Sequence, residues 1–262
     1  MAVSKDPQKA TAGNPLSAVA RVAAVGVVGG AIMAAMAVPV VAGFGKASDV
    51  AAEQIGALPA ELATPPLPNR TYMLDADGNR IATLFDENRI EVPLSQISEN
   101  MQRAIVAVED ERFYEHNGVD VQGLIRAQLE NTASGSIRQG ASTLTMQYVK
   151  NVLVTAAADE DQVEAAVEQT TARKLQEIRY AVQVERELTK DEILNRYLNI
   201  AYFGSGAYGV EAASRRYFGH SANKLTPAEA ATLAGIVQSP VGYDPLINPE
   251  ESEIRRNAVL AK

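Results

Sequence analysis

Residues 109–118 read Glu-Asp-Glu-Arg-Phe-Tyr-Glu-His-Asn-Gly and follow the apolar-patterned segment Met101-Gln-Arg-Ala-Ile-Val-Ala-Val. A carboxylate at the end of an apolar helix loses part of its hydration, which disfavours the charged form and raises its pKa. A general acid or base working near neutral pH needs that property. Glu109 is therefore the candidate base; the competing reading makes Glu109 and Asp110 solvated helix-end charges. Asp110, Phe113 and His116 complete the motif as candidate substrate-binding residues. Phe113 also reads as a core aromatic behind the loop, and a lone histidine such as His116 is more often a structural hydrogen-bonder than a catalyst. Gly118 supplies a backbone conformation that residues with a Cβ resist.

A second cluster, Arg173-Lys-Leu-Gln-Glu177, puts Arg173 and Glu177 four residues apart on one helix face. The bland reading is a surface ion pair. The chemical reading is an anion site, because an arginine fork grips phosphate oxygens and Lys174 adds a compact charge. Lys150 and Arg138 could join it. Ser142 and Thr143 stand at a helix start, where they cap the helix and where free backbone donors bind phosphate. Gln147 lies one turn further along.

These residues need helices to hold them. Ser98 caps a helix running toward Glu109, and Val121 to about Thr132 reads as another, with Gly135 beyond its end. Ser142 and Thr143 open a helix into Asn151, and Thr170 to Leu188 is a further helix. Thr189-Lys-Asp-Glu192 and Thr226-Pro-Ala-Glu229 are capping boxes. Leu153 to Thr170 has no strong apolar stripe and reads as a mobile surface segment with at most a short helical piece. Arg70 to Phe85 reads as two short strands around Asp77-Gly78. Asn199, Tyr202, Gly204, Gly206 and Gly209 form a glycine-rich bend that shapes a cleft wall.

Val22 to Phe44 contains no charged residue and, as a helix, spans about 34 Å, enough to cross a bilayer core. Lys5, Lys9 and Arg21 precede it against Asp6, so the N-terminus is expected in the cytoplasm and the remainder outside. Ala35-Met36-Ala37 offers the rival reading of a cleaved signal peptide, but the apolar run continues past it. The expected organisation is a cytoplasmic tail (1–21), a transmembrane helix (22–44), an alanine-rich linker ending in Thr-Pro-Pro-Leu-Pro (45–68) and a domain (69–262). The chain has no cysteine, so disulfides and cysteine chemistry are excluded. A net charge of −8 makes nucleic acid a poor partner.

The motif at 109–118, Gly140-Ala-Ser-Thr-Leu-Thr-Met-Gln-Tyr-Val-Lys-Asn151, Arg173-Lys-Leu-Gln-Glu177, and Tyr197-Leu-Asn-Ile-Ala-Tyr-Phe-Gly-Ser-Gly-Ala-Tyr-Gly-Val210 occur in that order. Together they resemble the peptidoglycan glycosyltransferase domain of class A penicillin-binding proteins and of the related monofunctional enzymes, from about Asn69 onward. Ala141 stands where the family usually has a second glycine, and Met146 replaces the first of two glutamines.

The resemblance implies a mainly α, lysozyme-like fold with a small β-hairpin, and a hydrophobic part lying against the membrane. It implies polymerisation of lipid II, with a nascent glycan strand as donor and polyprenyl pyrophosphate as leaving group. Glu109 matches the residue proposed as the base, and Glu177 the second essential carboxylate. The role of Glu177 stays open between orienting the basic residues, binding a metal and positioning the acceptor. No cofactor is required, with room for a divalent cation, Mg2+ or Mn2+. Cell-wall synthesis or division proteins are candidate partners at the plasma membrane. The rivals are a lysozyme-like glycan hydrolase and a non-catalytic scaffold. Ser221-Ala-Asn-Lys224 matches a Ser-x-x-Lys pattern but lies inside the glycosyltransferase-like region, without a Lys-Thr-Gly element. The resemblance leaves two alternatives open: a piece of a longer bifunctional protein with a following transpeptidase domain, or a short monofunctional chain.

Overall fold

The computed structural model describes residues 62–123, 142–168 and 170–262. The expected tail, membrane helix and most of the linker lie outside these residues, as do Arg138, Ala141 and the helix expected beyond Gly123. Among the described residues no helix is long and apolar enough to cross a membrane.

The described residues are mainly helical. Strands β1 (Thr71–Leu74) and β2 (Arg80–Leu84) pair antiparallel, from Thr71 opposite Leu84 to Leu74 opposite Arg80, with a bulge between Met73 and Leu74. Their turn is held by the Asp75 carboxylate, which accepts from the backbone N–H of Asp77 at 2.9 Å and of Asn79 at 2.7 Å. A second pair went unread in the sequence: β3 (Asn88–Arg89) lies parallel to β4 (Ala207–Tyr208). Two residues per strand carry no period that a sequence pattern could reveal.

Helix α1 (Glu99–Glu109) starts at Ser98, whose Oγ accepts from Met101 N. Met101 and Ile105 are fully buried and anchor it in the core. Helix α2 (Leu144–Ala156) is capped by Thr143, and α3 (Glu160–Val167) by Asp159. Leu153 to Thr170 is thus more helical than its pattern suggests. The first four residues continue α2. Asp159 and the acids Glu160 and Asp161 then favour a helix N-terminus through capping and the dipole. Only Ala166 of α3 is buried, which is why no apolar stripe announces it.

Helices α4 (Thr171–Glu187) and α5 (Lys190–Ile200) follow, the latter opening with the Thr189–Glu192 capping box. The bend after α5 contains Gly204, Gly206 and Gly209, all at positive φ. Helix α6 (Val210–Phe218) leads to α7 (Pro227–Ile236), which opens with the Thr226–Glu229 box, and to α8 (Pro249–Leu260). Helix α7 packs on α1 and α8, while α2 packs on α4 and α5. Leu144, Val149, Leu194, Leu198, Ala230 and Leu233 belong to one continuous core joining them. Burying each large apolar side chain contributes about 1.5–3 kcal/mol.

Candidate active site

The chain turns sharply at the end of α1. Asp110, 7% exposed, leaves the helix with φ −159°. Its Oδ2 accepts from the backbone N–H of Leu144, the first residue of α2, at 3.0 Å. Its oxygens lie 2.9 and 3.0 Å from His116 Nε2, so the ring proton is assigned to Nε2, since a carboxylate only accepts. Asp110 thereby ties the end of α1 to the start of α2, where the helix dipole favours a negative charge. His116 is a structural hydrogen-bonder. Phe113 is fully buried behind the loop, with Lys190 Nζ 4.5 Å from its ring centre.

Gly118 has φ +85°, and a Cβ there would lie 2.9 Å from the Ala181 backbone on α4. The same residue's carbonyl accepts from Thr143 Oγ1 at 2.7 Å, and that oxygen in turn accepts from Met146 N at 3.2 Å. One glycine therefore fixes the 110–118 loop between α2 and α4.

These constraints put the two acid clusters in one cleft of about 810 Å³. It is lined by Glu109, Asp110, Ser142, Thr143, Gln147, Lys150, Arg173, Lys174 and Glu177, so most of the residues singled out in the sequence share it. Phe113 and His116 do not line it; they act from behind, through packing and through Asp110. Met146 is buried in the core while its neighbour Gln147 faces the cleft. The departure at 146 from the commoner motif therefore falls on the core side of α2.

Glu109 is half-buried, and desolvation is the largest influence on it, raising its pKa above the usual carboxylate value. The hydrogen bond from Gln147, then the positive charges of Arg255 and Lys262, act in the opposite direction, and Asp110 adds to the rise. Gln147 Nε2 donates to Glu109 Oε2 at 2.8 Å, and Gln147 Oε1 accepts from Tyr197 OH at 3.0 Å. Burial pushes the Tyr197 phenol well up, so it remains protonated and donates. This network holds one face of a carboxylate that burial makes easier to protonate.

Glu177 is 2% exposed. Arg173 Nη1 donates to its Oε1, and Lys174 Nζ donates to its Oε2 at 3.1 Å. Lys174 Nζ also meets Ser142 Oγ, so Thr143 is the helix cap and Ser142 a cation partner. Glu177 is thus a buried counter-charge paired with two cations of the cleft. Lys150 lines the same cleft and has no hydrogen-bond or ion-pair partner among the described residues.

Sequence reasoning missed three parts of this site. Tyr197 opens a family block without a role of its own, and Arg255 and Gln238 stand in no motif singled out above. All three line the cleft. Tyr197 comes from α5, Arg255 from α8 and Gln238 from the turn after α7, so only tertiary packing brings them together, and no spacing within one helix could have signalled it.

The transglycosylase family model matches residues 77–262. Penicillin-binding protein 1A of Escherichia coli (strain K12) is 41% identical over 196 residues, covering 75% of this chain and 22% of that protein. Penicillin-binding protein 1F of Bacillus subtilis (strain 168) is 37% identical over 188 residues, covering 72% of this chain and 25% of that protein. The chain spans roughly a quarter of the length of these relatives. A crystal structure of penicillin-binding protein 1A from Haemophilus influenzae aligns at 24% identity with a TM-score of 0.36, over 76% of this chain and 18% of that one. With the family's model covering most of the chain, and acid and cation clusters meeting in one cleft, this chain belongs to the transglycosylase family.

Proposed function

We propose that the chain is a peptidoglycan glycosyltransferase that joins the disaccharide units of lipid II into β-1,4-linked glycan strands. The observation that carries this reading is the shared cleft: a desolvated carboxylate, Glu109, together with a cation station built from Arg173, Lys174 and Lys150. The growing glycan, α-linked to polyprenyl pyrophosphate, is the donor. The 4-hydroxyl of the incoming lipid II loses its proton to Glu109, and its oxygen bonds to the donor's anomeric carbon. The carbon–oxygen bond to pyrophosphate breaks with inversion, and the electron pair leaves on the phosphate. Arg173, Lys174 and Lys150 stabilise that charge, and placing positive charge where negative charge develops supplies much of the rate.

Glu177 orients the cations in this scheme. Among the described residues no group of three or more His, Cys, Asp or Glu side chains could hold a metal, and both Glu177 oxygens are engaged. A divalent cation, Mg2+ or Mn2+, would serve there to offset the charge of the pyrophosphate. The segment 22–44 would hold the chain at the plasma membrane beside its lipid-borne substrates, with cell-wall synthesis or division proteins as partners.

A glycan hydrolase is the rival. It would use two carboxylates flanking a neutral glycosidic bond, whereas Glu177 is ion-paired twice in a strongly basic station. Mass analysis of the products from lipid II decides between them. Strands growing by whole disaccharides with lipid pyrophosphate released support the transferase; shortening of preformed strands with uptake of water overturns it.

A further inference from the structure

Arg255 on α8 lines the cleft near Glu109, on which its charge acts directly. Two other cations of the cleft, Arg173 and Lys174, both pair with Glu177. Arg255 differs. Its Nε is buried with no hydrogen-bond partner, and the side chain makes neither a hydrogen bond nor an ion pair among the described residues. A buried donor without a partner costs free energy, and in a native protein it calls for an explanation.

The side chain is nevertheless held in place. Its Cζ lies 5.8 Å from the centre of the Tyr243 ring. Its stem crosses α7 at Gly235, where a Cβ would come within 2.9 Å of Arg255 Cγ. Gly235 is a buried residue inside a helix and has no positive φ. Glycine there weakens the helix relative to alanine. The room it leaves for Arg255 explains its presence.

We infer that Arg255 is a second oxyanion-binding residue of the cleft, on the Glu109 side and separate from the Arg173–Lys174 station. The inference rests on the proposed glycosyltransferase reading. Two substrates meet in this cleft, and each carries phosphate and stem-peptide carboxylate groups. The Arg173–Lys174 station takes the departing pyrophosphate, and the free guanidinium fork of Arg255 grips an oxyanion of the substrate that presents its hydroxyl to Glu109. Bidentate geometry makes arginine the suitable residue, and lysine at that position would lose the fork. The Arg255 charge also opposes the rise in the Glu109 pKa, so one residue couples substrate capture to the protonation of the base.

The test compares the membrane-anchored parent chain with Arg255→Gln, Arg255→Lys and Gly235→Ala, each checked for a parental melting curve. Steady-state kinetics use lipid II and a lipid-linked disaccharide pyrophosphate without the stem peptide. Arg255→Gln is expected to raise KM by about tenfold, more than it lowers kcat. It should also shift the acid limb of the kcat/KM profile to higher pH, a change that a merely structural residue would not cause. Arg255→Lys is expected to restore the pH profile and not KM, and Gly235→Ala to reproduce part of the KM rise by displacing the stem. A KM penalty that persists without the stem peptide assigns the oxyanion to phosphate, and one that vanishes assigns it to the peptide carboxylate. Parental KM and pH profile in Arg255→Gln on both substrates would overturn the inference while leaving the proposed function standing. If the parent makes no polymer the proposed function falls, and calorimetry with inorganic pyrophosphate and with N-acetylmuramyl dipeptide still decides. Weakened binding of either in Arg255→Gln supports the site, and parental binding of both removes it.

Discussion

Gln147 on α2 donates to Glu109 at the end of α1 at 2.8 Å, and so fixes the carboxylate across the join between two helices. The bond favours the charged form of Glu109 and opposes the rise caused by burial. Gln147→Ala should therefore raise the pKa of Glu109 further. The acid limb of the rate profile would move to higher pH, because the base must be deprotonated to act. Turnover at pH 6.5 is expected to fall more than at pH 8.5. Equal losses at both pH values would contradict the assignment.

Tyr197 is linked to Glu109 by hydrogen bonds through Gln147. Tyr197→Phe keeps the ring in the core and removes the hydroxyl that orients the amide. One lost hydrogen bond is worth about 1 kcal/mol, so a turnover loss of roughly five- to tenfold is expected. The double variant with Gln147→Ala should lose little more than Gln147→Ala alone. Fully multiplicative losses would show that the two side chains act independently.

The raised pKa of Glu109 has a stability consequence. Its folded value lies above its unfolded one, so the contribution is fully present below the unfolded value and is lost as pH rises through the folded value. Glu109→Gln escapes that loss. Its melting temperature should exceed the parent's at pH 8, and the gap should close as the pH falls below the ordinary carboxylate range. Calorimetry across pH tests this; a gap that widens toward acid would refute the shift.

Asp110 joins α1 to α2 and holds His116. Asp110→Ala leaves both Leu144 N–H and His116 Nε2 without their acceptor and is expected to cost about 2–3 kcal/mol. Asp110→Asn should cost less. His116 Nδ1 is buried and has no partner, so a change of tautomer lets Nε2 accept from the new amide. Urea unfolding of the two variants checks the order, and equal costs would argue against the tautomer switch.

Glu177→Gln keeps the shape of the cation station and removes its counter-charge. Turnover is expected to drop by about 10- to 100-fold, since Arg173 and Lys174 lose their aim. The pH limb set by Glu109 should stay in place. A shifted limb would mean that Glu177 itself moves the proton.

Much of this was legible along the chain, for reasons that particular residues make plain. Ser98, Thr143, Thr189 and Thr226 each cap the helix that follows them, because capping is a local interaction within one turn. The pairing of Arg173 with Glu177 follows from helical spacing alone. Asp110 as the link to Leu144, Tyr197 behind Gln147 and Arg255 against Gly235 were not legible. Each contact spans more than 15 residues of sequence and depends on how helices pack, which local pattern does not encode. Helix α3 hid for the opposite reason: it is locally well capped but nearly unburied, so its apolar pattern is faint.

The most direct measurement is lipid II polymerisation by the detergent-solubilised chain beside Glu109→Gln, with both proteins verified as folded and with products resolved by glycan length. The expected result is β-1,4-linked polymer from the parent and a loss of at least about 100-fold in the variant, as removal of a general base requires. Parental polymerisation by Glu109→Gln, or cleavage of preformed strands by the parent in place of synthesis, would contradict it.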